Sequence, residues 1–147
     1  MIDPRSNTKE SKYSDAAGIV VFKLIDNEYH LLVLHGLDGR LDIPKGVCEP
    51  GEPPYDAAIR ETEEEAGLTE LSFSFGKDNK CFDSLHTYIA TTKQEVVIRP
   101  NPASGITEHL GYEWMSLSSA KNADWCPYLK DAITWAIMKI TKELSTF

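Results

Sequence analysis

The chain has 147 residues, of which 41% are hydrophobic and 26% charged, and its formal net charge is −8. That length and composition suit one globular domain with a real core. The acidic balance argues against broad nucleic-acid binding, DNA included, which relies on a basic surface to displace counterions, and no apolar run is long enough to cross a membrane.

The opening MIDPRSNTKESKYSD is polar and lacks the apolar stretch of a secretory signal. Residues 1–14 therefore read as a flexible lead-in and 15–147 as a single domain, with the cytoplasm as the expected location and a monomer as the expected state. AAGIVVFKL (16–24) is short, apolar and β-branched, which predicts a strand; YHLLVLHG (29–36) predicts its hairpin partner. LDGRLDIPKG (37–46) reads mostly as loop. Pro53 and Pro54 suit a first helical turn, and Gly67 suits a C-cap, so a helix is expected from Pro53 to Ala66. LSFSFG (71–76), SLHTYIATT (84–92) and YEWMSL (112–117) predict further strands, with a Pro/Gly/Ser loop at 99–109. From Pro127 onward, Leu129, Ile133, Ala136, Ile137, Ile140 and Leu144 form one apolar helical stripe. The order is β-β-α-β-β-β-α, an α+β fold with a mixed sheet covered by helices. Three scattered cysteines, Cys48, Cys81 and Cys126, read as reduced thiols.

The stretch from Gly46 to Leu68 holds seven carboxylates. At helical spacing Glu61, Glu64 and Glu65 share one face, while Ala58, Ile59, Thr62 and Ala66 form a separate stripe that can meet a core. A solvated acidic face is the plain alternative. Two costs argue against it: like charges at i, i+4 repel, and anions near a helix C-terminus oppose its dipole. A cluster that is unfavourable twice is better explained by cations it holds, and hard oxygen donors suit Mg²⁺ or Mn²⁺. In front of the helix, Gly46 permits close backbone approach and Lys45 can offer its charge to a phosphate oxygen.

Gly46, five residues, Glu52, seven residues, then Arg60-Glu61-Thr62-Glu63-Glu64-Glu65-Ala66-Gly67-Leu68 resembles the Nudix box, Gly-x5-Glu-x7-Arg-Glu-U-x-Glu-Glu-x-Gly-U, where U is bulky and aliphatic. The single departure is Thr62 at the first U position, which carries a hydroxyl toward the core. The resemblance implies the Nudix α/β/α sandwich over about residues 16–143. It also implies hydrolysis of a nucleoside diphosphate linked to another moiety, by attack of a metal-bound water. On this resemblance Glu61, Glu64, Glu65 and the Gly46 carbonyl would ligate two or more Mg²⁺ or Mn²⁺ ions. Arg60 would orient a box glutamate, and Glu52 would help hold the loop and helix together.

LDIPKGVCEPGE and TEHLGYEWMSL further resemble asymmetric diadenosine tetraphosphate hydrolases and their RNA 5′-pyrophosphohydrolase relatives. That implies Glu108 as a further metal ligand or general base, with Glu61 the other candidate base, and His109 as a substrate contact. The expected reaction is diadenosine tetraphosphate to ATP and AMP. The alternative is release of pyrophosphate from triphosphorylated RNA 5′ ends, for which Lys77, Lys80, Lys93 and Arg99 would have to form a local basic track. A catalytically inactive nucleotide-binding module is the third reading; it should have lost box carboxylates, and none is lost. A base-stacking tyrosine common in the dinucleoside polyphosphate hydrolases is missing at its usual distance, leaving Phe82, His86 and Tyr88 as candidate rings. The proline that marks many ADP-ribose hydrolases is also absent there.

Overall fold

The structure, a computed structural model, describes residues 15–76 and 78–145. The expected flexible segment 1–14, Lys77 and the Leu144 side chain lie outside the described residues. Seven strands form one sheet: β1 (Ala16–Ile25), β2 (Glu28–Gly36), β3 (Leu41–Asp42), β4 (Lys45–Val47), β5 (Lys80–Phe82), β6 (Leu85–Thr91) and β7 (His109–Ser116). Helix α1 (Pro54–Ala66) lies on one face, and α2 (Leu117–Asn122) with α3 (Pro127–Ser145) on the other. The main path runs β3-β2-β1-β6-β5, with β4 also on β1 and β7 on β2. β1 and β6 run parallel and the other pairs antiparallel, so the sheet is mixed.

β1 is buried along most of its length because helices cover both of its faces. Its side chains alternate between two cores: Val20 and Phe22 join Ile133 and Ile140 of α3, whereas Ile19 and Val21 join Ala57 and Ala58 of α1. The expected stripe on α1 is present. Thr62 is fully buried on it, and its hydroxyl donates to the Ala58 carbonyl at 2.8 Å, so the polar atom brought into the core is satisfied. Gly67 ends the helix in the left-handed region at φ 68°, and its N–H donates to the Glu63 carbonyl.

Two-residue turns with positive φ close two hairpins, at Asp26-Asn27 and Asp83-Ser84. The expected strand at 71–76 is not formed. Ser72 makes a single antiparallel bridge to Thr91, after which Gly76 closes a turn onto the Phe73 carbonyl. The alternation of Leu71, Phe73 and Phe75 does not mark one face. Phe73 packs on Tyr55 in the α1 core and Phe75 on Tyr29 in the opposite core, so the segment wraps between the layers. β3, β4, β5 and α2 are too short for periodicity to reveal.

Candidate active site

The loop carrying β3 and β4 enters under the C-terminal half of α1 and fixes the first part of the site. At Gly46 a Cβ would fall on the Glu61 carboxylate, so only glycine leaves room for that side chain over the strand. The next residue back, Lys45, donates its backbone N–H to Glu65 Oε1 at 3.1 Å. Its ammonium pairs with Asp42 Oδ1, also at 3.1 Å, and the other Asp42 oxygen accepts from His109 Nε2 at 3.1 Å. Asp42 thus joins β3, β4 and β7 at one point. Burial opposes charge on all three groups, yet their mutual contacts dominate: Asp42 is held below the usual carboxylate range, and Lys45 and His109 above theirs.

Arg60 organises the second part. Its guanidinium donates to both oxygens of Glu52, at 2.8 and 2.9 Å, to Glu61 at 3.0 Å, to Glu64 at 3.4 Å and to the Val47 carbonyl at 3.2 Å. The fork on Glu52, joined by the Glu49 N–H, brings that carboxyl down to about 2. Glu52 therefore fastens the loop to α1 through Arg60, as the box resemblance implies. Arg99, from the 99–108 loop, donates to the Glu63 carbonyl and supplies the positive end that the helix C-terminus lacks in its own last turn.

Around these anchors the acidic groups converge. Glu64, Glu65, Glu108 and His109 line one small recess, and Glu61, Glu64 and Arg60 line the adjoining one. A cavity of about 480 Å³ opens beside them on the α3 side, bordered by Lys45, Glu108, His109, Arg40, Ile106 and Tyr128. Burial pushes the Glu65 carboxyl up to about 8. It pushes Glu61 up as well, against the pull of Arg60 and with Glu64 and Glu108 adding to it. Among the described residues the carboxylates do not already form a closed ion cage; Glu61 and Glu64 turn to Arg60, and Glu65 to the Lys45 N–H. The donor set still fits divalent cations well. It is all hard oxygen, it includes a glycine that makes room for a carboxylate, and it holds one buried carboxyl, Glu65, that the protein's own groups leave favouring its neutral form, as a site built for an added cation would.

The three candidate rings lie elsewhere. Tyr88 is buried in the α1 core, edge-on to Tyr55 at 5.4 Å, so its ring is not offered to a base. Phe82 packs on Trp135 at 5.9 Å, and His86 binds Asp15 at 2.7 Å; neither borders the cavities around the glutamates. Tyr128, which does border the large cavity, was not marked by any sequence pattern, since it sits one residue inside the start of α3. Trp114 packs against the α1 core under Lys23, as a strand aromatic would. Among the described residues, the basic side chains expected to line an RNA track are apart: Arg99 lines the small recess, Lys93 a separate cavity, and Lys80 sits over Phe82.

The NUDIX domain pattern matches residues 14–136. A bis(5′-nucleosyl)-tetraphosphatase (asymmetrical) of Caenorhabditis elegans is 32% identical over 120 residues, spanning 75% of this chain and 85% of its own. Among solved structures, a C. elegans Ap4A hydrolase binary complex superposes with a TM-score of 0.71 at 23% identity, over 92% of this chain and all of its own. A MutT protein from Methanosarcina mazei superposes with a TM-score of 0.62 at 20% identity, over 88% and 96% of the two chains. At those identities the superpositions speak for the fold.

Proposed function

The chain belongs to the Nudix hydrolase family, and from that premise we propose that it hydrolyses dinucleoside polyphosphates, cleaving diadenosine tetraphosphate to ATP and AMP. The observation that carries this reading is the convergence of Glu61, Glu64, Glu65 and Glu108 beside a nucleotide-sized cavity that also presents Lys45. The asymmetrical tetraphosphatase activity named for the C. elegans relative supports the choice of substrate.

Glu61, Glu64, Glu65, Glu108 and the Gly46 carbonyl are the groups that would hold two or more Mg²⁺ or Mn²⁺ ions. When bound, such ions neutralise phosphate charge and acidify water. Lys45, fixed by Asp42 at the cavity edge, binds a phosphate oxygen of the substrate. Arg60 keeps Glu61 and Glu64 in place on α1. Glu108 takes the proton of the attacking water, because Glu61 and Glu64 are already engaged by a guanidinium whereas the partner of Glu108 is the neutral Asn101 amide. A new bond forms between the water oxygen and phosphorus as the anhydride P–O bond breaks, and the electron pair leaves on the departing nucleotide's phosphate. Positioning and charge stabilisation carry most of such a reaction.

The test is a substrate panel with Mg²⁺: diadenosine tetraphosphate, ADP-ribose, dGTP and a triphosphorylated RNA oligomer, with products separated by chromatography. ATP plus AMP, formed well above the other rates, is the expected result. Preferential release of pyrophosphate from the RNA would favour the RNA reading, and nucleotide binding without turnover would favour a binding module.

A further inference from the structure

The segment between Ile98 and His109 has no regular secondary structure, and residues 102–108 are exposed. Asn101 gives it its shape. The Asn101 N–H donates to the Ile106 carbonyl at 2.8 Å, and its own carbonyl accepts from the Gly105 N–H at 2.7 Å. Its side-chain Oδ1 accepts from the Ala103 N–H at 2.8 Å and the Ser104 N–H at 3.2 Å. That uses the acceptor end of the amide. The donor end reaches Glu108, with Nδ2 3.1 Å from Oε2. The same side chain borders both recesses that hold the box carboxylates.

We propose that Asn101 is a positioning residue for the hydrolysis: through Oδ1 it closes the loop on itself, and through Nδ2 it holds the Glu108 carboxylate toward the box glutamates. This rests on the reading of Glu108 as a working group of the site. The other three carboxylates have anchors within the strand–helix framework, Arg60 for Glu61 and Glu64 and the Lys45 N–H for Glu65. Glu108 projects from an exposed loop, and the Asn101 amide ties it back to the body of that loop. A neutral donor suits the task. An arginine or lysine there would hold Glu108 more tightly, but it would also make the carboxylate a poorer base and repel a divalent cation. An amide alone among the short side chains offers a distinct acceptor and a distinct donor at once.

The two ends of the amide can be separated experimentally. Asn101→Asp keeps an acceptor for the Ala103 and Ser104 N–H groups but replaces the donor facing Glu108 by a second carboxylate oxygen. Asn101→Ala loses both. We would measure kcat, KM and Tm for these variants, for Glu108→Gln, and for the N101D/E108Q double variant, with diadenosine tetraphosphate at saturating Mg²⁺. Asn101→Asp is expected to lower kcat by about ten- to a hundredfold, the scale of a misplaced reacting group, with KM and Tm close to wild type. In the E108Q background it is expected to add no further loss, because both changes act through one carboxylate. Wild-type kcat in N101D, with only N101A impaired, would reduce Asn101 to a loop-turn residue and overturn the inference. So would an undiminished further loss in the double variant. Wild-type kcat in E108Q would instead remove Glu108 from the reaction and overturn the reading beneath.

Discussion

Glu65 shares its recess with Glu64, Glu108 and His109 and accepts the Lys45 backbone N–H, and burial there sets its chemistry. Without metal its carboxyl titrates near 8 in the folded chain, against an ordinary value of 4.5. Between those values the folded state keeps a proton that the unfolded state has released, so stability falls as pH rises through that window and levels off above it. Thermal unfolding of metal-free protein from about pH 4.5 to 8 should therefore show a steeper loss of Tm in wild type than in Glu65→Gln. At Glu64 the expectation concerns rate. On the proposed ligand assignment, Glu64→Gln removes a metal-holding charge, and turnover should fall by about a thousandfold. Metal-free Tm should hold or rise, since the repulsion with Glu61 is relieved; near wild-type turnover would take Glu64 out of the ligand set. The spacing of Glu61, Glu64 and Glu65 was legible in the sequence because a helix converts i, i+3 and i+4 directly into one face. The roles of Asp42, Asn101 and Tyr128 were not: Asp42 meets His109 67 residues along the chain, Asn101 meets Glu108 within a loop that has no periodic signal, and Tyr128 meets Lys45 83 residues away from a helix whose periodicity marks only its apolar stripe.

At the scale of elements, α1 is defined by its ends. Pro53 and Pro54 start it without a side-chain cap, and Gly67 stops it in a conformation that side chains rarely adopt. A Cβ at Gly67 would also meet the Val97 carbonyl at 3.0 Å. Gly67→Ala should cost about 1–2 kcal/mol by chemical denaturation, and because it loosens the turn that carries Glu64 and Glu65, activity should fall more than stability alone explains. Helices α1 and α3 and the four longer strands, β1, β2, β6 and β7, were readable from apolar runs and caps. The 71–76 segment was misread because its alternation, Leu71-Ser-Phe73-Ser-Phe75, matches a strand as well as it matches a chain that bends between two cores. The same layering governs Tyr88 among the candidate rings. An aromatic on a central strand such as β6 has helices on both faces, so Tyr88 satisfies the α1 core and is not available to a ligand.

Across the whole molecule, net charge and the placement of cations decide between substrates of similar chemistry. The net charge is −8, and among the described residues Lys93 and Arg99 line separate cavities while Lys80 sits over Phe82, so these cations offer a long polyanion no continuous path. Lengthening a triphosphorylated RNA should therefore not improve its competition with diadenosine tetraphosphate, and what binding there is should depend only weakly on salt. No helix of the described residues is long and apolar enough to cross a membrane. The α/β/α layering places α1, the β3–β4 loop and the 99–108 loop around one acidic site, and that arrangement makes metal-dependent anhydride hydrolysis the central claim. Its most direct measurement is the rate and identity of products from diadenosine tetraphosphate with Mg²⁺ and again after chelation. The account predicts ATP and AMP in equal amounts, with turnover lost on chelation and restored by added Mg²⁺. Two molecules of ADP, or a rate that chelation leaves unchanged, would contradict it.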